Sequence, residues 1–131
     1  MITLDASAVV EMLRGGSLAD LLWRELLQSG EPIIVPHLLD IEAVSALRRL
    51  ASEERIDSYR AEQFIEALEL LPAKRYEHTP LLDRIWELRH NFTSYDATYI
   101  SLAEATGAVL CTCDRKLAKG HRAQVRVFAN S

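Results

Sequence analysis

Apolar residues fall along this chain in two rhythms. Short unbroken runs sit between turn residues, and longer stretches repeat at three- and four-residue spacing. The first rhythm predicts buried strands and the second amphipathic helices. Ile2 to Leu4 reads as a strand that ends at Asp5, and Ser7 starts a helix to Arg14, closed by Gly15 and Gly16. A second helix takes Ser17 as its cap and runs to about Gln28, with Leu18, Leu21, Leu22, Trp23 and Leu26 as its apolar side. Ser29 and Gly30 break it, and Pro32 to Pro36 is a proline-bounded strand.

The helix from His37 to about Ala51 carries Leu38, Leu39, Ile41, Val44, Leu47 and Leu50, apolar on more than one side, so it is expected to lie buried between other elements. Ser58 opens a helix through Phe64, Ile65, Leu68 and Leu71, and a weakly signalled strand covers Pro72 to Tyr76. Thr79-Pro80 starts another helix, with Pro at its first position and Leu81, Leu82, Ile85, Trp86 and Leu88 expected inward. The strongest signal follows. Thr93 or Ser94 caps a helix that Gly107 stops, and Ala108 to Cys113 is an apolar strand. Asp114 to about Lys119 is a brief helix, and Gln124 to Phe128 a closing strand of alternating character. Strands alternating with helices imply right-handed crossovers and a mostly parallel sheet covered on both faces. The expected fold class is a three-layer α/β/α sandwich, a single domain over residues 1–131.

The elements place four acids in matching surroundings. Asp5 ends the first strand, Asp114 lies just past the late one, and Asp96 sits in the first turn of the helix between them. Carboxyl ends of parallel strands are where α/β sheets bind ligands. Each of these three has a simpler role as a helix cap or a partner for the helix dipole. Glu42 does not, because it interrupts an apolar helix with no Lys or Arg within one turn. An unpaired carboxylate buried there would cost several kcal/mol, so a metal or a distant arginine is expected to face it. Crowded carboxylates raise one another's pKa unless a cation compensates. Hard divalent ions such as Mg²⁺ and Mn²⁺ prefer such oxygen ligands and support in-line attack on phosphorus. The reading is a metal-holding pocket of Asp5, Glu42, Asp96 and Asp114 that cuts RNA, with the hydroxyls of Ser7 and Thr112 as supporting partners or else as ordinary cap and strand residues.

Charge changes this picture only locally. The formal net charge is -4, unlike the basic balance of most nucleic-acid binders. Four metal-bound acids would level it, and Arg48, Arg49, Arg115, Lys116, Lys119, Arg122 and Arg126 are candidates for a basic rim around an acidic centre. Cys111 and Cys113 stand two apart on a predicted strand, about 6.6 Å along the chain, near the upper limit for a disulfide. They read as small buried hydrophobes in a reducing compartment. No apolar run reaches membrane-spanning length, and no charged-then-apolar leader follows Met1, so a cytoplasmic protein is expected.

The stretches ITLDASAVV, IVPHLLDIEAVSALRRL and YDATYISLAEATGAVLCTCDRKLA together resemble the PIN domain, and within it the VapC-type toxins of prokaryotic toxin–antitoxin pairs. The resemblance covers nearly the whole chain. It implies a Mg²⁺- or Mn²⁺-dependent endoribonuclease, usually a homodimer. It also implies inhibition by a cognate VapB-type antitoxin in a heterotetramer or larger assembly. The family's acidic quartet falls on Asp5, Glu42, Asp96 and Asp114, and its hydroxyl positions on Ser7 and Thr112. Ser45 stands where many relatives carry Asn, and Asp40 has no family role. The alternative is a catalytically silent PIN-like module that binds protein or RNA. A phosphotransfer receiver would show paired acids after the first strand and a haloacid-type phosphatase a DxD there; Asp5-Ala6-Ser7 offers one acid only. His37, His78, His90 and His121 form no metal-ligand spacing, and Trp23 and Trp86 read as core or dimer-interface aromatics.

Overall fold

In a computed structural model, residues 1–130 are described. Over that span the strands are β1 (Ile2–Leu4), β2 (Ile33–Pro36), β3 (Ala73–Tyr76), β4 (Val109–Thr112) and β5 (Val125–Val127). The helices are α1 (Ala6–Leu13), α2 (Ala19–Ser29), α3 (Leu38–Ser52), α4 (Ser58–Glu69), α5 (Leu82–Glu87) and α6 (Ser94–Thr106). Among the described residues the strands form one five-stranded, wholly parallel sheet in the order β3-β2-β1-β4-β5. The expected α/β/α sandwich is therefore present, and the weakly signalled third strand is real.

Strand order explains the layers. The chain steps from β1 to β2 to β3 in one direction, then returns past β1 to form β4. Right-handed crossovers in opposite directions put their helices on opposite faces. Accordingly α1 packs with α2, α3 and α4, while α6 packs with α5 and lies on β1, β2 and β4. The core between them holds Leu4, Val9, Val35, Leu39, Phe64, Ile100, Leu102 and Leu110, each nearly or wholly shielded from water. The direction reverses between β1 and β4, which makes their carboxyl ends the natural crevice of the sheet.

Several local expectations are corrected. Ser17 does not cap α2. The carboxylate of buried Glu11 takes the Leu18 N–H at 2.9 Å instead, and Ser17 Oγ accepts from Asn130 Nδ2. That carboxylate also fills the space where a Cβ on Gly16 would sit, so a side chain there would displace it. The α4 helix does open at Ser58 as expected, and its cap is Asp57, through a 2.8 Å bond from the Arg60 N–H. The helix after Thr79 begins as a 3-10 turn, Thr79–Leu81, and only then becomes α5. On α5, Leu82 and Trp86 face solvent, the latter at 66% exposure, because a six-residue helix buries only the stripe of Ile85. The same holds on α2, where Leu21 and Trp23 are exposed while Leu22 and Leu26 are buried. The α3 helix is likewise not buried all round: Ile41 and Val44 are exposed. Asp40, which has no place in the sequence account, pairs with Arg75 through two 2.9 Å bonds and ties α3 to β3.

Candidate metal centre

Asp5 is the innermost of the four acids, only 4% exposed. The β1–β4 register pairs Leu4 with Cys111, which sets Asp5 beside Thr112 across the two central strands. Asp5 Oδ1 accepts the Ser7 hydroxyl at 2.7 Å and the Ala8 N–H at 3.0 Å, and Oδ2 accepts the Thr112 hydroxyl in a short bond. Each hydroxyl in turn accepts from the backbone beyond β4. Ser7 Oγ takes the Cys113 N–H at 3.0 Å, and Thr112 Oγ1 takes the Asp114 N–H at 2.9 Å. The hydroxyls thus lock the chain leading to Asp114 onto the Asp5 carboxylate. Both of the expected hydroxyls, Ser7 and Thr112, bond to the Asp5 carboxylate.

The capping role weighed for these acids is also real. Asp5 caps α1 through Ala8, and Asp114 accepts the Lys116 N–H at 2.9 Å to open the 3-10 turn Arg115–Leu117. Each cap occupies lone pairs of one oxygen and leaves others free. Asp96 lies in the first turn of α6, whose cap is Thr93 through the Asp96 N–H at 3.1 Å.

Electrostatics connect all four acids through Asp96. Burial pushes the Asp5 carboxyl up to about 6 against the pull of its three donors, and the Asp96 charge adds to the rise. Burial raises Glu42 as well, again with a contribution from Asp96. Asp96 is itself raised by burial and by the Asp114 charge, and lowered by Lys116. Among the described residues, no three His, Cys, Asp or Glu side chains stand close enough to ligate one ion together. The donor set is nonetheless all oxygen and carries mutually unfavourable charge, the composition that suits Mg²⁺ or Mn²⁺, and Mg²⁺ usually keeps several waters between itself and protein ligands.

Two expectations about the surroundings change. Of the two partners expected for Glu42, a metal or a distant arginine, no arginine pairs with it among the described residues. Glu42 lies half-buried at the edge of α3, and the Tyr99 hydroxyl donates to its Oε1 at 2.6 Å. Tyr99 was missed by sequence reasoning, although it lies three residues after Asp96 and so on the same face of α6. The basic rim is assembled only in part. Arg115 is held by the Asn130 carbonyl, Arg122 by Glu104, and Arg126 by Glu25, while Arg49 lines a separate cleft with Arg14 and Arg55. Lys116 is the basic residue whose charge acts on Asp96. Both cysteines are free thiols, Cys111 buried and Cys113 partly so, and burial raises each to about 11, which leaves them unreactive at neutral pH.

Comparison with known proteins matches this arrangement. The PIN domain family model fits residues 2–122. Ribonuclease VapC9 of Mycobacterium tuberculosis is 39% identical over 124 residues, 95% of this chain and 94% of that protein. Ribonuclease VapC1 of the same organism is 42% identical over 115 residues, 87% of this chain and 86% of that protein. The crystal structure of PAE2754 from Pyrobaculum aerophilum superposes with a TM-score of 0.73 at 27% identity, covering 95% of this chain and 81% of that one. That of M. tuberculosis VapC20, described as a Sarcin-Ricin loop cleaving toxin, gives 0.67 at 20% identity over 90% of this chain and 93% of that one, a likeness of fold. With the PIN domain model matched over residues 2–122 and near-full-length relatives among the VapC ribonucleases, the chain belongs to the PIN domain family.

Proposed function

We propose that this protein is the toxin of a type II toxin–antitoxin pair, a metal-dependent endoribonuclease that hydrolyses RNA phosphodiester bonds. Residues 1–131 act as one PIN domain, and Asp5, Glu42, Asp96 and Asp114 hold Mg²⁺ or Mn²⁺. The observation that carries this reading is the electrostatic linkage of the acids through Asp96 at the switch between β1 and β4. Asp96 raises Asp5 and Glu42, and Asp114 raises Asp96, so a cation is needed to hold them ionised together.

A divalent ion bound there supplies a more acidic water and positive charge for the phosphoryl oxygens. The protein's own part is positional. Ser7 and Thr112 hold the Asp5 carboxylate rigid, the same hydroxyls fix the backbone leading to Asp114, and Lys116 offers an ammonium beside Asp96 for an incoming phosphate. Among the described residues no helix is long and apolar enough to cross a membrane. The working location is the cytoplasm, where the RNA and a VapB-type antitoxin would be met. Trp23 and Trp86, both exposed, serve as interface aromatics for a homodimer or for the larger assembly with antitoxin.

The separation of the acids beyond joint ligation favours one second reading, a silent PIN-like module that binds RNA or protein without cutting. Calorimetric titration with Mn²⁺ separates the two. The nuclease reading expects saturable binding that Asp96→Asn weakens sharply. A chain that takes up no divalent ion at millimolar concentration is the silent module.

A further inference from the structure

We infer that Tyr99 is a positioning residue of the metal centre, joining the two helical layers by holding Glu42 in place; this rests on the metal-dependent reading above. Glu42 and Asp96 belong to different layers. The α3 helix packs on α1, α4 and β2, whereas α6 packs on α5, β1, β2 and β4. Asp5 has three donors on its carboxylate, from α1 and β4, and Asp114 caps a turn, so both are held by bonds of their own. Glu42 is different. Its side chain is half exposed, its helix neighbours Ile41 and Val44 point to solvent, and the partner given to its carboxylate is the Tyr99 hydroxyl at 2.6 Å.

The Tyr99 ring is itself immobile. It is 1% exposed and is among the largest fully buried side chains of the core. Its hydroxyl is therefore a fixed point on α6, one turn along from Asp96. A bond from a fixed donor to Glu42 Oε1 leaves Oε2 directed by geometry rather than free to rotate toward water. A long side chain held this way loses its rotamer entropy on folding instead of on metal binding. The hydroxyl is also a neutral donor, so it orients Glu42 without occupying the place of a cation. A buried Tyr satisfied by a convenient acceptor is the purely structural alternative.

Tyr99→Phe removes one oxygen and keeps the ring. Mn²⁺ alone is titrated calorimetrically into the wild type and Tyr99→Phe, and then into both in a Glu42→Gln background at higher Mn²⁺. The expected result is a dissociation constant roughly 10- to 100-fold weaker for Tyr99→Phe, the range seen when a partner of a metal ligand is lost. Its melting temperature without metal should stay within a few degrees of the wild type. RNA cleavage should recover as Mn²⁺ is raised, and the effect should vanish in the Glu42→Gln background. Unchanged Mn²⁺ affinity, with or without a fall in melting temperature, overturns the inference and marks Tyr99 as structural. So does an equal loss in both backgrounds, which would mean that Tyr99 acts elsewhere. A wild type that binds no Mn²⁺ overturns the metal reading itself, and this inference with it.

Discussion

Asp5 shows how a residue can be held in a state that the fold alone disfavours. Its ordinary pKa of 3.8 rises to about 6 through burial, despite three donors. A carboxyl raised on folding contributes stability that is complete below its unfolded pKa and is lost as pH rises through its folded pKa. Without metal, stability should therefore fall between about pH 4 and pH 7, by about 3 kcal/mol at most from this group. Urea unfolding at pH 5.5 and pH 8 reads this directly, with the higher midpoint expected at pH 5.5, and Asp5→Asn should flatten the difference. Equal midpoints for the metal-free wild type would contradict it. Thr112→Val tests the other side of the same site. It strips Asp5 Oδ2 of its donor in a fully buried setting, so about 1–3 kcal/mol should be lost at pH 8, measured in the same assay. At this scale the sequence was legible where chemistry is local. Asp5, Thr112 and Asp114 sit at strand ends with Ser7 in the turn of α1 that follows, and β1–β4 pairing brings them together. Glu42 was legible as an acid in need of a partner, but its contact with Tyr99 was not, because that contact joins two helical layers that no strand pairing brings together. Periodicity suggested that something must face Glu42 but could not say that it would be a neutral hydroxyl.

The elements were legible in kind and less so in their ends. Strand and helix order follow from the apolar rhythm, whereas caps depend on side chains from elsewhere. Ser17 looked like a cap, yet Glu11, seven residues before Leu18, reaches the orphan N–H first. Outward-facing apolar residues such as Trp86 and Ile41 escaped because a helix pattern gives a stripe but not its width. Where the stop signal was glycine the reading was sound. Gly107 ends α6 at φ 76, a left-handed conformation, and a Cβ there would meet nothing within 4 Å. Its only requirement is the backbone angle. Gly107→Ala should cost about 1 kcal/mol in chemical denaturation with no change in metal affinity. A loss of metal binding in that variant would mean that the end of α6 governs the placement of Asp96, thirteen helix residues being too rigid a unit for the effect to stop at the cap.

At the scale of the molecule, the reversal of strand order sets the carboxyl ends of β1 and β4 side by side, and the acids proposed to hold the metal there are what an inhibitor must neutralise. An arginine suits them, since its planar fork pairs carboxylates bidentately and never deprotonates. In the complex with antitoxin, replacing the antitoxin's tail arginines by alanine should weaken inhibition roughly 30-fold or more, as for other buried charge pairs cut on one side. Inhibition indifferent to every tail arginine would leave only a steric block. Under the proposed function, four acids and a divalent ion together cut RNA. The direct measurement is cleavage of RNA by the purified chain with Mg²⁺ or Mn²⁺, with EDTA, and with Asp96→Asn. The account predicts cleavage in the first case and none in the other two, with Asp96→Asn folded. Cleavage undiminished in EDTA or in Asp96→Asn would contradict it.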